Sequence, residues 1–591
     1  MITRWGLAFM LIGMLVAGLL YDRVAPLSAE VDDAETDRLV VSPSVADPPR
    51  LDVAWYCPVG SSSAGGYADH TVNIANLDDE SAVANLTVIT DSGPGPRRRL
   101  ELPPLSTQRI RLADIQTADV AGAVVEVIGG RGAVGHTVTT ANGVAEGPCA
   151  TEASSTWHFA SGRTTADAQE YLVLMNPFPE TAVFDVTFQS VARTRKPGAL
   201  QAAFVEARSI RVIDVNDVAS GDEVLAAKIT TNRGRLVVER LQLLDGQLGA
   251  TGAALQLGVP TPARSWMFTA GRVQADGDDL LTIYNPNEFD LTADQLAAAA
   301  DQADAGVDET NGESELAADG DAGDGTEGDG PDEATADGTT PGDADEPLSP
   351  LLEEDGTTTV AIELWPSNPS DLSTYSVVTI EREVRPGNLV TIDLRAQAER
   401  FEFPLPYELG VFVTSNEGVP IVAERWQFAD RLISDLGTAV AGTGTETGPG
   451  DAPADGTDGL VPGLQAAEAP PANDLPQPIA TEGVSTSRGH ELFSTRWVIP
   501  WVTMVGDSTL IAISSADEAA IEIRSLAVLG QWDGPLRATV PAGGRVIVPI
   551  TSGTGGAAVE VVSDTPVSVE AMVVLPDQSL DVVPGVPTVA G

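Results

Sequence analysis

An all-β protein is what this sequence predicts, and three observations predict it. Tryptophan opens four stretches of similar design: WYCPVG at 55, WHFASG at 157, WMFTAG at 266 and WVIPWV at 497. After each, apolar and polar residues alternate with period two in short runs rich in Val, Ile and Thr, the pattern of a half-buried strand. Turn formers separate the runs, and the chain holds 58 Gly and 41 Pro. Six or seven such runs in roughly a hundred residues fit one immunoglobulin-like β-sandwich per stretch. The expected architecture is four tandem sandwiches in a row behind an N-terminal transmembrane helix, with disordered acidic insertions.

The elements follow in order. Arg4 precedes an apolar run from Trp5 to Tyr21, closed by Asp22 and Arg23. As a helix that run spans about 25 Å, slightly less than a hydrocarbon core of about 30 Å. Ala29 in PLSAE offers a small residue before a cut. Residues 1–30 are read as a signal-anchor, with cleavage and secretion as the alternative, and 31–49 as a linker. Both readings place the remainder outside the cytoplasm. Sandwich 1 covers 50–152 and holds the chain's two cysteines, Cys57 and Cys149. In an exported protein such a pair is expected to be a disulfide, worth roughly 4 to 5 kcal/mol for a loop of this length.

Sandwiches 2 and 3 cover 153–262 and 263–436. In both, an apolar strand ends in Asn-Pro, at Asn176-Pro177 and Asn285-Pro286. Proline cannot donate to a ladder, so it terminates the strand and opens a turn. The next strand, VFDVTF, follows Pro177 closely, whereas TVAIELW lies about seventy residues beyond Pro286. A disordered tract at 290–357 is therefore expected inside a hairpin loop of the third sandwich. Residues 437–486 read as a disordered linker and 487–591 as sandwich 4. After the N-terminal run, only DQLAAAADQ at 294 reads as a helix.

Charge narrows the partners. The formal net charge is −53, from 86 acidic and 33 basic residues, and only Lys196 and Lys228 are lysines. Nucleic acid is excluded as a partner, because its binding depends on neutralising phosphates with Lys and Arg. The tract at 290–357 contains DGDAGDGTEGDG from Asp319 to Gly330. A calcium loop of EF-hand type needs an acid or amide at position 5, Gly at 6 and Glu at 12. Here Gly323, Asp324 and Gly330 stand there, so the tract reads as a solvated coil.

WYCPVG soon after a single N-terminal apolar segment, followed by tandem β-units with NP strand ends, resembles a family of exported, membrane-anchored actinobacterial proteins known only as a domain of unknown function. The resemblance implies a tandem β-domain envelope protein and brings no activity with it.

The chemistry-bearing residues are few. The four histidines, His70, His136, His158 and His490, form no close pair of zinc-binding spacing, so no metal, cofactor or catalytic residue is expected. GSSSAGG at 60 misses the nucleophile-elbow pattern at Ala64. Glu239, Glu424 and Glu570 recur at one place in the last strands and read as outward cross-strand ion pairs of little worth. Trp55, Trp157, Trp266 and Trp497 are the candidate platforms for stacking a sugar, weighed against core packing. The leading expectation is a non-enzymatic scaffold or adhesion-like protein of the cell envelope, partnered by an envelope protein or polysaccharide and by the membrane through its N-terminal helix. The alternatives are an envelope glycan-binding protein and a hydrolase with a site between sandwiches.

Overall fold

Strand formation follows the alternation closely. Ala182–Ser190, AVFDVTFQS, buries every second side chain over its first six residues, and Thr358–Ser367 does so over eight. The computed structural model describes residues 43–47, 52–246, 250–273, 277–287, 356–367, 376–403, 407–428, 484–490, 493–502, 509–526, 532–550, 556–574 and 580–590. The expected N-terminal helix, the helix at 294, the calcium-like stretch and most of the 437–486 linker lie outside these residues. Among the described residues no helix is long and apolar enough to cross a membrane.

The chain is all-β, built of antiparallel sheets, and each segment repeats the same strand order. In the first segment an inner sheet runs Ser106–Arg111, Asp69–Asn76, Gly132–Thr139, Val144–Pro148. An outer sheet runs Asp52–Cys57, Ala121–Ile128, Ala82–Thr90, Gly93–Leu102. The second segment has the inner order Ser209–Asp214, Ala168–Asn176, Val237–Asp245, Thr251–Leu257, and the third Leu389–Asp393, Asp278–Tyr284, Val422–Phe428, Val484–Ser487. In the fourth, the 18-residue strand Ala557–Val574 passes through both layers and joins them into a nine-stranded sheet. Cys57 and Cys149 form a disulfide across 92 residues of sequence. It ties the outer strand Asp52–Cys57 to the residue just after the inner strand Val144–Pro148.

One helix was not anticipated. Leu394–Arg400 begins where Asp393 accepts a hydrogen bond from the Ala396 N–H at 2.9 Å, an N-cap that satisfies one orphan donor of the first turn. At seven residues it is too short for a periodic pattern to betray it.

The strand-ending asparagines explain how the third segment carries its insertion. Asn76 Nδ2 donates to the carbonyls of Glu80 and Leu102, and Asn176 Nδ2 to those of Glu180 and Val205. Asn285 Nδ2 makes the corresponding bonds to Gly356 (2.8 Å) and Val384 (3.2 Å). The base of the hairpin is therefore clamped alike whether its loop is four residues or seventy-one apart in sequence. Closure entropy for such a lengthening is about 2 kcal/mol. Deleting residues 290–355 is expected to leave the unfolding midpoint unchanged or to raise stability by up to ~2 kcal/mol. Loss of the third segment's fold on urea titration of the deletion variant would contradict this.

The segments do not form an open row. Val59, Ala68 and Val138 of the first pack in one core with Trp157 and Leu172 of the second. Ala160 and Val259 of the second join the core of Trp266 in the third, and Ala270 of the third packs with Leu510 and Met572 of the fourth. The circuit then closes: Val498, Leu526, Ala558 and Val586 of the fourth share a core with Val45, Trp55 and Cys57. Val45–Asp47 adds a parallel strand to Val586–Ala590, joining the beginning of the described chain to its end. The four inner-edge strands Val144–Pro148, Thr251–Leu257, Val484–Ser487 and Leu580–Pro584 meet one another around the centre.

Candidate functional site

The junctions between segments gather the recurrent polar residues. Strand pairing fixes their equivalence: Asn73 faces Gly135, Val173 faces Glu239, Thr282 faces Glu424 and Ala512 faces Glu570. One residue on stand His136, Arg240, Arg425 and Ala571.

Glu239, Glu424 and Glu570 are fully buried, which overturns their reading as outward ion pairs. Each reaches back to the loop that follows the tryptophan of the preceding segment. Glu239 Oε2 accepts the Val59 N–H at 3.2 Å. Glu424 accepts the N–H groups of Ala160 (2.9 Å) and Ser161 (3.1 Å), and Glu570 those of Thr269 and Ala270 (both 2.7 Å). These amides end a strand inside the protein, where an unpaired donor costs about 1–3 kcal/mol. The fourth junction lacks the device on both sides: Pro500 has no N–H to offer, and Gly135, packed against Pro500, has no side chain to accept one.

The neighbouring basic positions complete the network. Arg240 Nη1 donates to Glu424 at 3.1 Å with both side chains sealed from solvent. Ala160, Ser161 and Arg240 all donate to Glu424, an arrangement that favours its carboxylate form. Burial pushes the Glu424 carboxyl above the ordinary range, with Arg240 and the two amides pulling the other way. Arg425 binds Asp279 through Nε (2.9 Å) and Nη2 (2.5 Å) and donates to the carbonyl of Leu409 (2.7 Å). In the first segment His70 and His136 take these places. His70 Nδ1 donates to the Ala121 carbonyl at 2.8 Å, which leaves its Nε2 to accept from His136 Nδ1 at 3.1 Å. His136 Nε2 then meets Glu239 Oε1 at 2.9 Å. Burial and His136 together push His70 down to about 3, which keeps it neutral. Sequence spacing could not find this pair, because 66 residues separate the two histidines.

Glu170 holds the equivalent of the Asp279 position, yet its neighbour Arg240 is committed to Glu424. The Arg163 N–H donates to Gln242 Oε1 at 3.1 Å and pulls the Glu170 carboxyl down only weakly. Burial pushes Glu170 up to about 8, with Arg240 opposing. The folded state therefore holds one more proton than the unfolded chain between pH 4.5 and about 8, and stability falls as pH rises through that window. Glu170→Gln is expected to match the parent near pH 5 and to exceed it by on the order of 4 kcal/mol above pH 8. Urea midpoints at the two pH values check this, and equal offsets at both would contradict it.

The tryptophans are core residues. Trp55, Trp157, Trp266 and Trp497 are all 0% exposed, so none offers a face to a sugar, and the stacking expectation is corrected. Three are held by a hydrogen bond from Nε1 to a carbonyl: Trp157 to Leu236 (2.8 Å), Trp266 to Ile421 (2.9 Å) and Trp497 to Val567 (2.7 Å). Trp55 Nε1 has no partner among the described residues. Ser62, the elbow-like serine, is 2% exposed and bonds to the backbone of Ala118. Among the described residues no group of three or more His, Cys, Asp or Glu is placed to hold a metal ion.

Between the first and fourth segments a carboxylate pair forms that sequence reading missed. Asp581 Oδ2 accepts the Glu146 N–H at 2.7 Å, and both residues are buried. Burial first, and the Glu146 carboxyl second, push Asp581 well above the ordinary range. Nearby, Arg131 bridges Asp78 (2.9 Å) and Glu560 (3.4 Å), and the Arg109 guanidinium lies 4.8 Å from the Trp501 ring centre. At the centre a cavity of about 20 Å³, room for one water, is lined from all four segments, by Pro148, Gln256, Thr486 and Pro584 among others.

Comparisons with known proteins add little chemistry. No curated protein matches the chain. Thermotoga maritima 1070 is similar at 14% identity over 18% of this chain and 94% of that one, with a TM-score of 0.16. Anabaena sensory rhodopsin transducer is similar at 21% identity over 15% and 96%, with a TM-score of 0.13. Streptomyces avermitilis α-L-rhamnosidase, complexed with L-rhamnose, is similar at 9% identity over 64% and 44%, with a TM-score of 0.12. Residues 136–329 match DUF5719, a family of unknown function.

Proposed function

We propose that the chain is a non-enzymatic scaffold of the cell envelope, exported and either held at the membrane by its N-terminal apolar segment or released from it. It acts by presenting a preformed acidic surface to an envelope protein or polysaccharide. One observation carries this reading: the polar residues that recur from segment to segment are buried and engaged with one another. Glu239, Glu424, Glu570 and Arg240 bond across from one segment to its neighbour, Arg425 ties the third segment together, and all five are buried. A rigid array of β-segments suits a presenting role, since binding to a preorganised surface avoids the entropic cost of ordering it. The hydrolase alternative would draw on Asp581 and Glu146, which are sealed between segments.

The test is to immobilise the purified chain and measure saturable retention of envelope components, while screening the same preparation for glycosidase, esterase and peptidase turnover. Saturable retention without turnover is expected. Turnover abolished by a single substitution at Asp581, Glu146 or His136 would overturn the proposal.

A further inference from the structure

The outer sheet of the third segment carries a row of rings on the face turned away from its core. Its strands run Ser265–Phe268, Tyr407–Ser415, Thr358–Ser367, Val378–Val384. Val360, Ile362 and Leu364 are buried in the core, so alternation turns Glu363 and Trp365 to the opposite face. Glu363 stands across the ladder from Phe412 on one side and Thr379 on the other, which puts all three on that face. Trp365 and Phe412 are half-buried, with ring centroids 6.4 Å apart and planes tilted by 47°. Phe493, also half-buried, comes from the fourth segment and lies a further 6.4 Å from Phe412. Trp365 Nε1 donates to Glu363 Oε2 at 3.1 Å, which fixes the indole and leaves Glu363 Oε1 to accept from elsewhere. One position beyond the Leu364–Val378 pair, Val377 is 49% exposed, so the strip stays open at that end.

We propose that this strip binds an uncharged polysaccharide, with successive sugar rings stacked along Trp365, Phe412 and Phe493 and a hydroxyl donating to Glu363. The site presupposes the envelope-scaffold role and supplies its polysaccharide partner. An aromatic face is electron-rich and attracts the weakly positive C–H groups on the flat side of a sugar, while a carboxylate beside it takes a hydroxyl hydrogen. Charge then selects among polymers. Glu381 shares the face of Glu363, through its pairing with Ala361, and the chain's net charge is −53, so an acidic glycan is repelled. Evenly spaced rings from two segments suit a ligand made of repeated ring-shaped units. The indole, already fixed by Glu363, loses little freedom when a sugar covers it.

Affinity electrophoresis of the full chain tests this. Dextran, mannan and a galactan are the neutral probes, polygalacturonate the anionic control and chitosan oligomers the cationic one. At least one neutral polymer is expected to retard the parent, equally at low and high salt, and polygalacturonate is not. Trp365→Ala is expected to weaken that binding at least about tenfold, and Trp365→Phe by less, with the circular dichroism spectrum of the parent kept. Should Trp365→Ala fail to fold, Trp365→Phe carries the test, and an affinity equal to the parent's counts against the site. The proposal is overturned if no neutral polymer retards the parent, or if Trp365→Ala binds as the parent does. Retardation by chitosan alone, abolished by salt, overturns it as well, since Glu363 and Glu381 would then be a site for cations. If neutral polymers fail while the immobilised chain still retains envelope material saturably, this site falls and the scaffold reading stands; if both fail, both fall.

Discussion

Replacing Glu424 by alanine is expected to destabilise the folded chain by about 3–5 kcal/mol, the usual cost of removing one partner of a buried ion pair. The change strips Arg240 of its carboxylate and leaves the Ala160 and Ser161 amides without acceptors, all inside the second junction. Arg240→Met beside Glu424→Ala should recover part of the loss, because the uncompensated buried charge is then gone, while the two uncapped amides keep the double variant below the parent. Urea midpoints of the parent, both single variants and the double variant give the coupling. A loss under about 1 kcal/mol for Glu424→Ala would show that the junction is not held this way.

Trp266→Ala is expected to cost about 3–5 kcal/mol, as large aromatic truncations in a closed core do. Trp266→Phe separates packing from hydrogen bonding: it keeps most of the ring but removes the bond from Nε1 to the Ile421 carbonyl, which still accepts from the Ala263 N–H, at about 0.5–1.5 kcal/mol. The same exchange at Trp55 should cost less, since Trp55 Nε1 meets no acceptor among the described residues. Denaturation midpoints of the two Trp→Phe variants decide it, and an equal or larger loss at Trp55 would contradict the assignment.

Period-two alternation made the strands readable, and the Asn-Pro ends placed the insertion in a hairpin, because both signals are local. The disulfide was readable because the chain has only two cysteines. What alternation cannot supply is the environment of the second face. Glu239, Glu424 and Glu570 occupy positions that in a free-standing sandwich point to water, so they read as surface ion pairs. Here that face is covered by the preceding segment, and the same carboxylates become caps for its strand ends. The tryptophans illustrate the converse, for a large aromatic at a strand start reads equally as platform or core, and only burial decides. His70 and His136 come together through the pairing of Asp69–Asn76 with Gly132–Thr139, a register no spacing rule contains.

The closing junction was the least legible. Its positions hold Gly135, Pro500 and Ala571, residues that look like mere departures from the repeat. They are complementary departures, since a proline without an N–H faces a glycine without a carboxylate. Stability at this seam comes instead from Arg131 with Asp78 and Glu560, from Asp581 with the Glu146 amide, and from Val45–Asp47 paired with Val586–Ala590.

Closure of the first segment onto the fourth is the central claim, and a crosslink tests it most directly. A Cβ placed on Gly135 would lie 3.3 Å from Pro500 Cβ, close to the separation of about 3.5–4.5 Å that a disulfide needs. In a chain carrying Gly135→Cys and Pro500→Cys, an intramolecular bond between the two new cysteines is expected under mild oxidation, with Cys57–Cys149 retained, as peptide mapping by mass spectrometry would read it. Two free thiols at 135 and 500, or bonds only between separate chains, would contradict closure.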